Sequence, residues 1–164
     1  MKEHFTREEA SQFIEYHPES GMFRRKKFAQ RGKTEFRGWV DHKGYLRTQV
    51  AGKSVLCHRL AWLMHYGHWP KGEIDHINGD RQDNRISNLR ACTHQQNNHN
   101  QPLRTTNTSG VKGVYWHSRQ RKWRGQVCLN YKIHITQGFD EIADAKAAVI
   151  ELRNKLHGDF ANHG

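Results

Sequence analysis

The stretch from Gly72 to Asn98 leaves the chain few ways to fold. Asn78-Gly79 is a strong turn signal, because both residues tolerate the positive backbone angles that a tight reversal needs. Before it, Glu73 to His76 suits a short strand, and beyond it Leu89 to Cys92 suits a returning strand. Thr93, with Gln96 three residues on, matches a capping box, so a helix is expected to start near His94. A hairpin followed by a helix sets a carboxylate and an imidazole, Asp75 and His76, at the end of one strand, facing an amide on the second turn of the helix, Asn97.

One hard cation fits between such groups. Asp75 and the Asn97 carbonyl are oxygen donors suited to magnesium, with manganese as an alternative; such an ion takes few protein ligands and keeps its other positions for water and phosphate oxygens. A neutral His76, with an ordinary pKa near ~6.5, can take a proton from an attacking water. The metal offsets charge on the phosphate and on the departing 3′ oxygen. Asn88 is better suited to brace the long turn through hydrogen bonds to backbone than to touch a metal.

These residues carry a resemblance. The segment is similar to the HNH nuclease family, whose motif is a ββα-metal unit. His58-Arg59-Leu60-Ala61-Trp62, Ile74-Asp75-His76-Ile77-Asn78-Gly79-Asp80 and Asn88-Leu89-Arg90 resemble its phage homing-endonuclease branch in particular. The resemblance implies Asp75 and Asn97 as metal ligands, His76 as general base and Asn88 as the structural middle asparagine of a catalytic set Asp75, His76, Asn88 and Asn97. Asn97, Asn98 and Asn100 lie close together, and spacing favours Asn97.

Charge points to the same partner. Lys and Arg number 27 against 16 Asp and Glu, a formal net charge of +11, which is an electrostatic footprint for a phosphate backbone. With 35% hydrophobic residues over 164 positions, modest cores in small modules are expected rather than one large one. No apolar run approaches the ~20 residues of a membrane span, and no signal-peptide core follows Met1. A soluble cytoplasmic protein is therefore expected, with no membrane partner, no obligatory protein partner, and a monomeric or homodimeric state. Cys57, Cys92 and Cys128 are far apart and form no CxxC pair, which argues against a disulfide framework and against a structural zinc. His65 with His68, or His94 with His99, remain conceivable zinc ligands, although most of the 13 histidines are expected at the surface or facing DNA.

Upstream of the motif, Met22 to Lys27 and the alternation from Tyr45 to Val50, with a return at Lys53 to Leu56, suggest a small antiparallel sheet. His58 to Tyr66 puts Leu60, Leu63 and Met64 on one helical stripe, with Gly67 as C-cap and Pro70 beyond. The Arg24-Arg25-Lys26-Lys27 run is either a phosphate grip or a solvated face.

After Asn100 the character changes. Residues 101–109 are polar and lack periodicity, as a linker does. Gly113 to His117, Trp123 to Leu129 and Ile133 to Phe139 then suit three strands. A helix from about Asp140 to Leu156 follows, with Ile142, Ala145, Ala148, Val149 and Leu152 on one stripe, expected to meet Trp123, Val127 and Leu129. That leaves Arg124, Gln126 and Cys128 on the open sheet face, where amides and guanidinium groups are suited to read base edges in a major groove.

Gly113-Val114-Tyr115-Trp116, Lys122-Trp123, Gly138-Phe139-Asp140 and Leu156-His157-Gly158-Asp159-Phe160-Ala161-Asn162 resemble the plant ethylene-response-factor (APETALA-type) DNA-binding domain over about Ser109 to Asn162. The resemblance implies DNA contacts from Lys112, Tyr115, His117, Gln126 and Cys128. Tyr115 and His117 stand where the plant domains carry arginines, so their GC-rich preference does not carry over. Arg119, Arg121 and Arg124, with Lys112, are candidates for phosphate contacts.

The expectation is an α+β chain. Residues 1–100 form an HNH nuclease domain with a small antiparallel sheet and a ββα-metal core at about 72–100. Residues 101–109 form a linker, and residues 110–164 form a three-stranded antiparallel sheet packed on one helix. The expected function is site-specific, homing-type endonuclease action on double-stranded DNA, with nicking of one strand. A non-cleaving DNA-binding regulator is the alternative. An RNA-binding reading is weaker, because the open face lacks a paired aromatic platform.

Overall fold

The computed structural model describes residues 5–26, 35–36, 38–101, 103 and 105–164. Lys27 of the basic run and Pro102 and Arg104 of the expected linker lie outside the described residues. The chain forms two compact units, Met1–Thr93 and His94–Gly164.

In the first unit, helix α1 (Arg7–Ser11) starts on a capping box. Glu9 N donates to Thr6 Oγ1 at 3.2 Å and Thr6 N donates to Glu9 Oε2 at 2.8 Å, satisfying two backbone donors of the first turn. Strands β1 (Ile14–His17), β2 (Met22–Arg25) and β3 (Glu35–Phe36) form one antiparallel sheet. Strands β4 (Trp39–Val40), β5 (Leu46–Val50) and β6 (Lys53–Leu56) form a second, in the order β4-β5-β6. The β5–β6 reversal occurs at Ala51 and Gly52, both with positive φ (50° and 76°), the sense of twist that favours a tight hairpin.

Helix α2 (Cys57–Tyr66) follows directly. Its Leu60, Leu63 and Met64 stripe is buried, and it ends on Gly67 in the left-handed conformation, whose N–H donates to Leu63 O. Those side chains share one core with Ile14, Phe23, Val50, Val55, Ile74 and Leu89. Each fully buried aliphatic side chain contributes about 1.5–3 kcal/mol. Strands β7 (Glu73–His76) and β8 (Leu89–Cys92) complete the unit as an antiparallel pair.

Part of the basic run at the end of β2 is engaged within the first sheet. Arg24 and Lys26 both pair with Glu15 on β1, and the Arg25 guanidinium lies 4.7 Å over the Phe36 ring. Helix α1 and strands β1, β3 and β4 had no clear periodic signal, being too short to display one.

The second unit opens with α3 (His94–His99), where the capping box predicts a start. The expected boundary after Asn100 therefore differs from the observed one, and the reason is physical. The Lys112 ammonium donates to the carbonyls of His99, at 3.2 Å, and Gln101, while Asn162 Nδ2 donates to Asn100 O at 3.1 Å. The imidazoles of His99 and His157 stack with centroids 3.6 Å apart. These bonds tie the end of α3 to the C-terminal segment.

Strands β9 (Val114–His117), β10 (Lys122–Leu129) and β11 (Lys132–Ile135) pair in the order β11-β10-β9. The third strand is shorter than expected. Gln126 pairs with Ile135, yet Trp123 bridges Phe139, so one extra residue is inserted between the two pairings. Thr136 stabilises the bulge by accepting from Gly125 N at 2.8 Å. Helix α4 (Ile142–His157) covers one face, with Ala145 and Val149 buried against Val114 and Val127. Gly125 is required by this packing, since a Cβ there would lie 2.7 Å from Val149 Cβ.

Candidate functional site

The register of the β7–β8 ribbon sets Asp75 directly opposite Arg90 and His76 opposite Leu89. Arg90 Nε and Nη2 lie 2.8 and 2.7 Å from Asp75 Oδ2, a forked, charge-assisted contact around a carboxylate only 5% exposed. A slip of one residue would turn one partner to the other face and break the pair.

His76 is 4% exposed, and its Nε2 sits 3.2 Å from Oδ1 of Asn84, which is itself 2% exposed. With the amide oxygen as acceptor, the imidazole carries its hydrogen on Nε2 and its lone pair on Nδ1. Burial pushes the His76 pKa below the ordinary histidine value, against the opposing pulls of the Asn84 hydrogen bond and of Asp75, Asp80 and Asp83. The neutral base form therefore prevails at neutral pH.

The loop between the strands is held from both ends. Asn88 Oδ1 accepts from Asn78 N at 3.0 Å, and Asn88 Nδ2 donates to Asp83 O at 2.8 Å, so one buried side chain spans the loop. Asn78 Nδ2 donates to Asp83 Oδ2 at 2.9 Å, and the Arg85 guanidinium holds the Asp83 carboxyl down to about 2. From the first sheet, Tyr16 donates its hydroxyl to Asn84 O at 2.7 Å, and Pro18 O accepts from Ile86 N at 3.1 Å. The β1–β2 turn approaches so closely that a Cβ on Gly21 would sit 2.6 Å from Arg85 N. The N-terminal sheet thereby fixes the backbone that presents Asn84 to His76.

A second histidine lies behind the first. His58, on α2, packs edge-on against His76 with centroids 5.2 Å apart and beside Tyr45 at 5.2 Å. These two are buried, whereas the other described histidines are exposed or half-buried, in line with the expectation for most of them. Burial lowers the His58 pKa to about 3, with neighbouring His76 acting in the same direction. The folded-state pKa is depressed, so this neutral imidazole contributes stability above the unfolded value of about 6.5 that is lost as pH falls from there toward about 3. Urea unfolding between pH 7 and 5 is expected to show stability falling more steeply in the wild type than in His58→Gln, by up to about 1.4 kcal/mol per pH unit. Equal slopes would remove His58 from this account.

Asn97 stands half-buried on α3, in the second unit. Among the described residues there is no group of three or more His, Cys, Asp or Glu side chains able to hold a metal ion. The chemistry present is one buried carboxylate next to a neutral imidazole. That suits a divalent ion with a low protein-ligand count that retains water and phosphate oxygens.

The second unit distributes its expected DNA contacts unevenly. Opposed residues of an antiparallel ladder share a face, and successive residues along a strand point to opposite faces. Tyr115, Arg124, Gln126 and Cys128 thus lie together on the side away from α4, with His117 and Lys122 at one end. Arg124 Nε is enclosed with no hydrogen-bond partner. Arg119 and Arg121 sit exposed on the β9–β10 turn, where His117 Nδ1 accepts from Gln120 N at 3.2 Å. Lys112 departs from this group, because its ammonium is spent on the carbonyls of His99 and Gln101. Burial pushes it down to about 8. Lys122 is paired with Asp140 at 2.6 Å.

Sequence reasoning did not single out Asn84 or Tyr16, and His58 and Arg90 entered only as parts of motifs. Asn84 is surrounded by ordinary turn chemistry and carries no signal of its own. His58 had one, since it lies one turn before Ala61 on the buried side of α2.

The buried carboxylate and neutral imidazole lie on the β7–β8 hairpin, within residues 55–99, which match the HNH endonuclease family. The chain carries an HNH endonuclease domain. It belongs to the same family as a phage protein, Protein 3.8 of Escherichia phage T7, to which it is 35% identical over 105 residues, 63% of this chain and 86% of the relative. No solved structure matches it. No helix among the described residues is long and apolar enough to cross a membrane.

Proposed function

We propose that the chain is a site-specific endonuclease of the homing type that hydrolyses one phosphodiester bond of double-stranded DNA. The observation that carries this reading is the buried Asp75–His76 pair at the end of β7, within the segment matched by the HNH endonuclease family. His76 takes the proton of a water as its oxygen bonds to phosphorus, and the bond to the 3′ oxygen breaks. Asn84 orients the ring, and Tyr16 and Asn88 hold the loop that supplies Asn84. Asp75 would be the carboxylate ligand of one divalent metal, which when bound would supply positive charge against the phosphate and leaving oxygen. Asn97 is assigned as the second ligand on sequence spacing alone.

The sheet of the second unit reads the site. A ββα-type nuclease grips mainly backbone, so base discrimination needs another surface. The strand residues Tyr115, His117, Gln126 and Cys128 supply it, with Arg119, Arg121 and Arg124 holding the phosphates. One active site per chain cuts one strand, and a double-strand break requires two chains or two binding events.

Incubating the protein with supercoiled plasmid, with magnesium or with EDTA, tests the reading. Open circles that require both metal and Asp75 are expected. DNA that is bound but never cut under any divalent metal would overturn it in favour of a regulator.

A further inference from the structure

The open face of the second-unit sheet carries two side chains that suit neither solvent nor phosphate. Ile133 is 63% exposed and Ile135 51% exposed, both on β11. Ile133 is opposite Cys128 and Ile135 is opposite Gln126, so both point to the same side as Tyr115 and Arg124, away from α4. β11 is also an edge strand. Two β-branched apolar residues exposed on one face of an edge strand invite strand-to-strand aggregation, and solvent-facing edges are ordinarily kept polar.

Charge identifies what covers them. Between residues 113 and 135 the chain has five cations and no carboxylate, and with Lys122 paired to Asp140 the cations of this surround are Arg119, Arg121, Arg124 and Lys132. An apolar protein surface has no need of that surround, whereas a polyanion does. Nucleic acid offers one apolar group in its major groove, the C5 methyl of a pyrimidine, and apolar side chains recognise it by contact. The Gln126–Ile135 pair is apt for this. Directly opposed residues have Cβ atoms about 5 Å apart. A glutamine amide pairs with adenine N6 and N7, and the methyl of the thymine in that same base pair lies in the same groove.

We propose that Ile133 and Ile135 are specificity-determining residues that contact pyrimidine C5 methyl groups in duplex DNA, so that the recognised site carries thymines opposite β11, one in an A·T pair read jointly by Gln126 and Ile135. The inference rests on the reading of this sheet as the DNA reader. It implies a site with A·T content, and it makes a methyl group a determinant of binding.

The test uses the full-length chain in EDTA, where binding is separated from cutting. Bound duplexes are selected from a random pool, and the enriched site is then compared with a copy in which thymines are replaced by uracil, which removes only the methyl. Wild type is expected to bind the uracil copy about fourfold more weakly for each contacted methyl. Ile133→Ser and Ile135→Ser are each expected to lose one methyl's share of that discrimination, the double serine variant to bind both copies alike, and Ile133→Val and Ile135→Val to keep the discrimination. Replacing a contacted thymine by cytosine weakens binding, and 5-methylcytosine at that position restores part of it if the methyl alone is read. No restoration would mean that thymine is recognised as a whole base.

A pool that emerges from selection without enrichment removes the reader assignment and the methyl contact together. An enriched site whose uracil copy binds as tightly as the thymine form overturns the methyl contact alone. Loss of self-association in the serine variants, with no uracil effect, would identify the face as an interface between chains.

Discussion

Replacing His76 by alanine is expected to slow DNA strand cleavage by about two to four orders of magnitude, the usual contribution of a positioned general base. Binding of duplex DNA is expected to change little. The measurement is single-turnover conversion of supercoiled plasmid, set beside a gel-shift titration of the same protein. Because His76 is nearly fully buried between His58 and Asn84, its truncation also leaves a cavity and strands a buried amide oxygen. A thermal melt must therefore accompany the kinetics. His76→Gln keeps a hydrogen-bonding side chain of similar reach and lacks a base, so it should lose cleavage while losing less stability. Full-rate cutting by either variant, once folded, would remove His76 from the base role.

The second large effect is on stability. Arg90→Ala leaves the Asp75 carboxylate inside the ribbon without its guanidinium partner, and breaking a buried ion pair on one side costs about 3–5 kcal/mol. In a unit of this size each 1 kcal/mol lowers the melting temperature by about 4–8 °C, so the loss should be plain in a thermal scan or urea titration. Arg90→Lys keeps the charge but not the fork, and should recover only part. Asp75→Asn combined with Arg90→Ala should cost less than the sum of the two single changes, because the uncompensated charge is gone. An Arg90→Ala protein as stable as wild type would mean that the pair is worth no more than a surface contact.

The same pair bears on metal binding. With Arg90 gone, Asp75 loses the guanidinium that competes for its charge, and manganese should raise the melting temperature of Arg90→Ala more than that of wild type. This readout needs no cleavage. It separates a carboxylate that attracts a cation from one that serves the fold alone.

Much of the candidate site was legible because its determinants are local. The hairpin of β7 and β8 follows from Asn78-Gly79 between two short strands, and the start of α3 follows from Thr93 and Gln96. The stripe on α2 and its stop at Gly67 are read from residues a few positions apart. The bracing role of Asn88 was also within reach, since its partners Asn78 and Asp83 lie in the same loop.

What resisted sequence reading depends on chain segments meeting from a distance. Tyr16 reaches Asn84 across 68 positions, and no local pattern at either residue announces the contact. Lys112 looked like one more cation for DNA, yet its ammonium is enclosed by the carbonyls at the end of α3. Arg153, for which the helical stripe of α4 gave no expectation, is buried and donates to Lys112 O at 2.6 Å. The one-residue bulge that shortens β11 arises where Thr136 satisfies a ladder donor with its hydroxyl.

The amino-acid sequence by itself determined the β5–β6 and β7–β8 hairpins, helices α2, α3 and α4, the Asp75–His76 pair and the basic character of the second sheet, because turn chemistry, capping and side-chain periodicity act over a handful of residues. Only the tertiary structure decided which imidazole is held by which amide, which cations remain available for a phosphate backbone, and that Ile133 and Ile135 share a face with Gln126. Each of these is settled by packing and register, where burial selects among partners that local sequence leaves equally open.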